Sequence, residues 1–141
     1  MREIKFRGKR IDNGEWVYGD LVQNPCSTRI VVDFVLIDGC NDGTVECGGD
    51  FYLVDPRTVG QFTGLQDSKG VDIYEGDLVN CVGLPSGKIG NARKMLGKVV
   101  QRTMGWTICV KYKKEWWHYS KMSYLKEELE VIGNIHTEVK K

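Results

Sequence analysis

Long apolar runs are missing from this chain, and none approaches membrane-spanning length. The opening, Met1-Arg2-Glu3-Ile4-Lys5, lacks the apolar core of a signal peptide. Both absences predict a cytoplasmic protein with no membrane contact. Histidine is scarce, with His118 and His136 alone, and neither sits at metal-ligand spacing. No two of the five cysteines show C-x-x-C spacing. An odd count in a reducing compartment predicts free thiols, with Cys81 and Cys109 as small buried apolar residues. A zinc site from Cys26, Cys40 and Cys47 would need a fourth ligand that the sequence does not place nearby. There is no G-x-S-x-G, no H-E-x-x-H and no pair of carboxylates on a helical platform. The expectation is therefore no catalytic residue, no metal and no cofactor.

Two look-alikes fail on spacing. Asp38-Gly39-Cys40-Asn41-Asp42-Gly43 opens like a calcium loop, but Cys40 stands at the third position and Gly49 where the closing Glu belongs. Gly83-Leu84-Pro85-Ser86-Gly87-Lys88 is one residue short of a phosphate loop, and Ile89 replaces the magnesium-binding hydroxyl.

What the chain has is glycine, 17 in 141 residues, together with β-branched and aromatic residues in short runs. That composition predicts many tight turns between short strands, in one domain or two very small ones. Glu3 to Ile11 and Glu15 to Val22 read as a hairpin around Asp12-Asn13-Gly14, with a type I′ turn and one buried face. Gln23 to Thr28 reads as a loop. Arg29 to Ile37 is apolar on both sides and is expected to be a central strand. Asp38 to Asp50 reads as a loop or irregular hairpin end, and Gly83 to Gly97 as a basic loop. Lys98–Arg102 and Trp106–Lys113 form a further hairpin, the second arm with Trp106, Ile108, Val110 and Tyr112 inward and a basic outer face. Ser120 to Glu128 suggests a helical turn, and Leu129 to Ile135 a closing strand.

The densest stretch is Val54 to Val82. Pro56 has no donor and biases Asp55 toward extended geometry, so the strand arriving through Phe51–Val54 stops there. Gly60 and Gly64 punctuate Val59–Leu65. Asp67-Ser68-Lys69-Gly70 has turn composition with a left-handed glycine at its end. Glu75-Gly76-Asp77 interrupts an extended run and marks a bend. Asp55 and Arg57 suit a local ion pair rather than a site.

Arg57-Thr58-Val59-Gly60-Gln61-Phe62-Thr63-Gly64-Leu65, followed by Ile73-Tyr74-Glu75-Gly76-Asp77-Leu78-Val79, closely resembles the central signature of the YopX family, small proteins carried by bacteriophages and prophages. Arg2-Glu3-Ile4-Lys5-Phe6-Arg7-Gly8 resembles that family's opening, and Glu130-Val131-Ile132-Gly133-Asn134-Ile135 its close. The resemblance implies a β-rich body with an SH3-like barrel in its second half, and it brings no activity with it. The resulting expectation is an all-β protein in two parts: residues 1–65 a small antiparallel sheet and 66–141 an SH3-like barrel.

The net charge of +1 hides an asymmetry. Residues 1–70 carry eight basic and eleven acidic side chains, residues 71–141 twelve and eight. Between 88 and 121, nine basic residues face one acid, Glu115. Within Lys111-Tyr112-Lys113-Lys114-Glu115-Trp116-Trp117-His118-Tyr119, cations alternate with rings, a pattern that can neutralise phosphates and stack on unpaired bases. Basic strand faces are also commonly just solvated. Two adjacent tryptophans on a strand face opposite ways, so at least one belongs to a core. The primary expectation is a non-enzymatic phage accessory protein that binds a host or phage protein, a two-part body that can also self-associate. The alternative is a nucleic-acid-binding barrel using Lys88, Arg93, Lys94, Lys98, Arg102, Lys111, Lys113 and Trp117 as one surface. A small enzyme ranks last.

Overall fold

Runs that alternate apolar and polar residues put every second side chain on one face, and such runs are stable when paired antiparallel. In a computed structural model most of the chain follows that rule. The structure describes residues 3–37, 46–82, 94–103, 105–112, 115–121 and 129–136. Among the described residues eleven strands follow one another: β1 (Phe6–Lys9), β2 (Trp16–Asn24), β3 (Ser27–Ile37), β4 (Glu46–Leu53), β5 (Gly60–Gln66), β6 (Asp72–Tyr74), β7 (Asp77–Val82), β8 (Lys94–Arg102), β9 (Gly105–Tyr112), β10 (Glu115–Lys121) and β11 (Leu129–Asn134). A 3-10 turn, Pro56–Thr58, sits between β4 and β5. The protein is all-β, and the chain divides into two units, Met1–Gln61 and Phe62–Lys141.

In the first unit the hydrogen-bonding order is β4-β3-β2-β1, with Gly60 and Gln61 at the start of β5 paired on the other side of β1, every pairing antiparallel. The β1–β2 hairpin forms as the sequence suggests, with Lys9 opposite Trp16. Its reversal is wider than a two-residue type I′ turn. Residues 11–14 make it, closed by Arg10 N–H donating to Glu15 O (2.9 Å) and Gly14 N–H to Arg10 O (3.0 Å). Side chains staple this loop. Arg10 pairs with Asp12, and Asn13 Oδ1 accepts from Glu15 N–H at 2.9 Å. Gly14 takes the positive φ (+72°) that the Asn-Gly signal requires.

The loop expected at Gln23 to Thr28 is a tight reversal instead. Asn24 Oδ1 accepts from Cys26 N–H (2.9 Å) and Ser27 N–H (2.8 Å), a side chain standing in for a backbone turn. β3 is paired on both sides, as its two-sided apolar pattern implies. β4 begins at Glu46, five residues before the apolar signal at Phe51, because Gly48 pairs with Val35 across an irregularity in β3. The hairpin does not bury one face alone: Arg7 and Gly8, neighbours that face opposite ways on β1, are both buried, whereas Ile4, ahead of the strand, is exposed. The Arg7 guanidinium lies 4.7 Å from the Trp16 ring centroid, where the ring face attracts the cation.

The sheet curls, so that β1 and β4 meet at one end. Arg10 bridges Val54, Ile11 N–H donates to Leu53 O (3.0 Å) and Asp55 N–H to Lys9 O (2.9 Å). Val54 is buried at that closure. Gly8 permits it: a Cβ there would stand 2.9 Å from Val54 Cβ.

The second unit holds a five-stranded antiparallel sheet, β10-β9-β8-β7-β11, with β10 and β11 at its edges among the described residues. Ile73, Val79, Val99, Ile108 and Leu129 form its fully buried core, with Leu65, Trp106 and Val131 packed against them. Val99 and Ile108 are opposite one another on β8 and β9, as the β9 alternation implies. β8 starts at Lys94, earlier than the glycine-rich sequence suggests, because Gly97 is a buried ladder position between Val79 and Val110. Of the helical turn suggested over Ser120 to Glu128, Ser120 and Lys121 close β10 instead; its remainder, the calcium-loop look-alike at 38–43 and the phosphate-loop look-alike at 83–88 lie outside the described residues.

Candidate functional site

The stretch Val54 to Val82 is where chemistry would concentrate, and its polar side chains are engaged in turns. Asp55 caps the 3-10 turn by accepting from Arg57 N–H at 3.0 Å, and its two oxygens also take the Arg57 guanidinium at 3.1 and 2.8 Å. Thr58 is buried. Its hydroxyl donates to Asp55 O (2.6 Å) and accepts from Lys9 N–H (2.8 Å), tying the turn to β1. Thr63, also buried, donates to Ile73 O at 2.7 Å and so locks β5 to β6. Gly64 takes φ +82° at an irregularity in that pairing.

Asp67 does the most. Oδ1 accepts from Lys69 N–H (2.8 Å) and Val71 N–H (2.9 Å), and Oδ2 from Val131 N–H (3.0 Å). One carboxylate therefore shapes the Asp67–Gly70 turn and pins it to β11. Burial pushes this carboxyl group up. The amides of Val131, Val71 and Lys69, aided by the Lys69 ammonium, outweigh burial and hold it below the ordinary aspartate value. Gly70 has φ +80°, as the turn composition implies.

Glu75 and Asp77 do not share a strand. They flank a turn between β6 and β7 in which Gly76 has φ +86°. Asp77 is 1% exposed, and its Oδ2 accepts from Tyr74 N–H at 2.8 Å. Gly76 N–H donates to Val99 O and its carbonyl accepts from Ile135 N–H, both at 2.9 Å, so this turn joins β8 to the end of β11.

Arg57 contrasts with these, since its side chain is 86% exposed. Exposed ion pairs are screened and contribute little. Arg57→Ala is expected to leave the melting temperature within a few degrees of wild type near neutral pH. A collapse in thermal unfolding would show instead that this pair holds the corner.

The residues singled out for nucleic-acid contact are partly brought together. Lys94, Lys98 and Arg102 stand four apart on β8 and so occupy one face of the strand. Lys98 is opposite Cys109, two positions before Lys111 on the same face of β9. Lys111 pairs with Trp116 of β10. Trp117 is opposite Val110, in the row of Gly97 and Val79 that alternates with the basic one. The basic face is not wholly solvated, because Cys109 and Leu78, both opposite Lys98, are buried. Lys88, Arg93 and Lys113 lie outside the described residues.

A second surface was not singled out from the sequence. On the first unit's sheet, Tyr18, Val22, Phe51 and Leu53 are each about half exposed. In register, Val22, Arg29 and Leu53 form one row across β2, β3 and β4, and Asp20, Val31 and Phe51 form the next. Alternation on β2 was legible. The pairing that sets it beside Phe51 and Leu53 was not.

These turn-locking residues fall inside a match to known proteins. The family model described as YopX protein matches residues 5–140. The chain belongs to the YopX family. Among solved structures it is similar to protein EF1440 from Enterococcus faecalis, with 20% identity over 96% of this chain and 95% of that one, at a TM-score of 0.58. That likeness concerns the fold. No curated protein matches the chain. Within the YopX signature of this chain, Thr58, Thr63, Gly64, Gly76 and Asp77 each have a structural task, namely closing a turn or joining neighbouring strands.

Proposed function

We propose that this YopX protein is a non-enzymatic accessory protein of phage or prophage origin that works in the bacterial cytoplasm by binding another macromolecule. The reading rests on one contrast. The polar side chains of the central stretch are committed to holding turns, while half-exposed apolar side chains stand together on β2 and β4. Polar groups so committed favour a protein that offers surfaces rather than a reacting centre. The test is a pull-down with the tagged chain from bacterial lysates, with and without nuclease. A protein retained from both lysates supports the reading, and retention of nothing from either overturns it.

Nucleic acid is the second reading, favoured by the shared face of Lys94, Lys98, Arg102 and Lys111. It expects the retained material to disappear on nuclease treatment. Lys98→Glu combined with Lys111→Glu is expected to abolish binding of a single-stranded oligonucleotide at moderate salt, since each lost phosphate contact lowers the salt slope by about one. Binding unchanged by both substitutions would eliminate this reading.

A further inference from the structure

On β2, β3 and β4 of the first unit an apolar patch encloses one acid and one base. Tyr18, Val22, Phe51 and Leu53 are 49, 44, 49 and 51% exposed. Asp20 lies on β2 between Tyr18 and Val22, and Arg29 lies on β3 opposite both Val22 and Leu53. Both charged residues are exposed, and among the described residues neither side chain makes an ion pair. Half-exposed aromatic and branched side chains grouped around charge are unlike the scattered apolar exposure of an ordinary surface.

We propose that this face is a self-complementary interface on which a second copy of the chain packs about a two-fold axis. The argument is geometric. In an isologous contact, whatever residue i meets, that residue's counterpart meets i. Strands stand about 4.8 Å apart, and alternate residues about 6.8 Å apart along a strand. On that grid, the two-fold axis that exchanges Arg29 with Asp20 also lays Leu53 over the partner copy's Tyr18. The same axis brings Phe51 and Val22 each close to its own symmetry mate. One operation thus pairs both charges and covers all four apolar side chains. The charge pairing defines the axis, and the covering of the apolar side chains by that same axis is the independent condition.

The patch is three strands wide, on the order of 15 Å by 25 Å. That area is below the range of stable complexes and belongs to weak, transient contacts, so the proposed dimer is a reversible one. The inference rests on the reading above, which uses this same apolar face, and names a second copy of the chain as its occupant; a foreign protein retained in the pull-down beside a chain that stays monomeric would overturn the inference alone.

The test is sedimentation equilibrium of the full chain up to about 100 µM, a range in which weak association registers. Wild type is expected to move from 16.0 kDa toward twice that mass as concentration rises. Asp20→Arg sets two arginines against each other at both ends of the contact, and Arg29→Asp does the same with acids. Each variant alone is expected to stay monomeric with unchanged circular dichroism. Mixed in equal amounts they are expected to dimerise, because every clash becomes an opposite-charge pair. Phe51→Asp is expected to remain monomeric in any mixture. A wild type that stays monomeric throughout overturns the proposal. So does a dimer indifferent to Asp20→Arg, or a mixture that stays monomeric while wild type dimerises.

Discussion

Gly19→Ala is expected to cost about 3 kcal/mol or more, and to lower the denaturant midpoint accordingly. A Cβ at Gly19 would stand 2.0 Å from the carbonyl oxygen of Val31 and 2.9 Å from its carbon. Both atoms belong to the backbone of β3, the neighbouring strand, so no side chain can swing aside. Relief requires β2 and β3 to separate where Asp20 pairs with Val31. Ile30, fully buried, packs beside the same point, with Cγ2 at 3.3 Å from the added carbon. Gly14→Ala is the informative control. The space around it is open, but its φ of +72° is strained for alanine, at a cost of about 1 kcal/mol. Urea titrations of both variants check the order. Equal midpoints for Gly19→Ala and wild type would mean that β2 and β3 do not approach this closely.

Asp67→Ala is expected to cost on the order of 3 kcal/mol, because three backbone donors, those of Lys69, Val71 and Val131, lose one charged acceptor together. Asp67→Asn keeps one oxygen and is expected to recover part of that loss. The effect depends on pH with a definite sign. The folded carboxyl group titrates below its unfolded value, so its contribution is complete above the unfolded aspartate pKa of about 3.9. It is lost as pH falls through the lowered folded value. Stability profiles of wild type and Asp67→Ala should therefore converge in strong acid and stand furthest apart near neutrality. The Lys69–Glu130 ion pair at 2.6 Å is largely exposed and is not expected to replace the carboxylate.

Residues whose constraint is local were legible in the sequence. Pro56 follows the end of β4, Gly64, Gly70 and Gly76 take positive φ, and Asp55 pairs with Arg57, each constraint acting within a few positions of the residue that meets it. Alternation located β9 and its inward Ile108 because period two acts along a single strand. What the sequence hid depends on partners far along the chain. Asp67 reads as a turn residue, and nothing near it announces a bond to Val131, 64 residues away. Gly19 reads as one glycine among many, since its necessity comes from the β3 carbonyl beside it. Arg7 reads as a solvated cation, and the Trp16 ring that covers it lies on the next strand. The same limit governs the surfaces. A charge run marked Lys94, Lys98, Arg102 and Lys111, whereas the apolar patch exists only once β2, β3 and β4 are in register.

The stretch Val54–Val82 is structural, with Asp67 and Asp77 fastening turns to the core of the second unit. Amide hydrogen exchange tests this most directly, read at Lys69, Val71, Tyr74 and Val131, whose N–H groups donate to those carboxylates. In wild type these four amides should exchange as slowly as the core amides of Val99 and Ile108. In Asp67→Ala, protection should fall at Lys69, Val71 and Val131 together. Exchange at these positions as fast as in the exposed Asp12–Gly14 loop would contradict the claim.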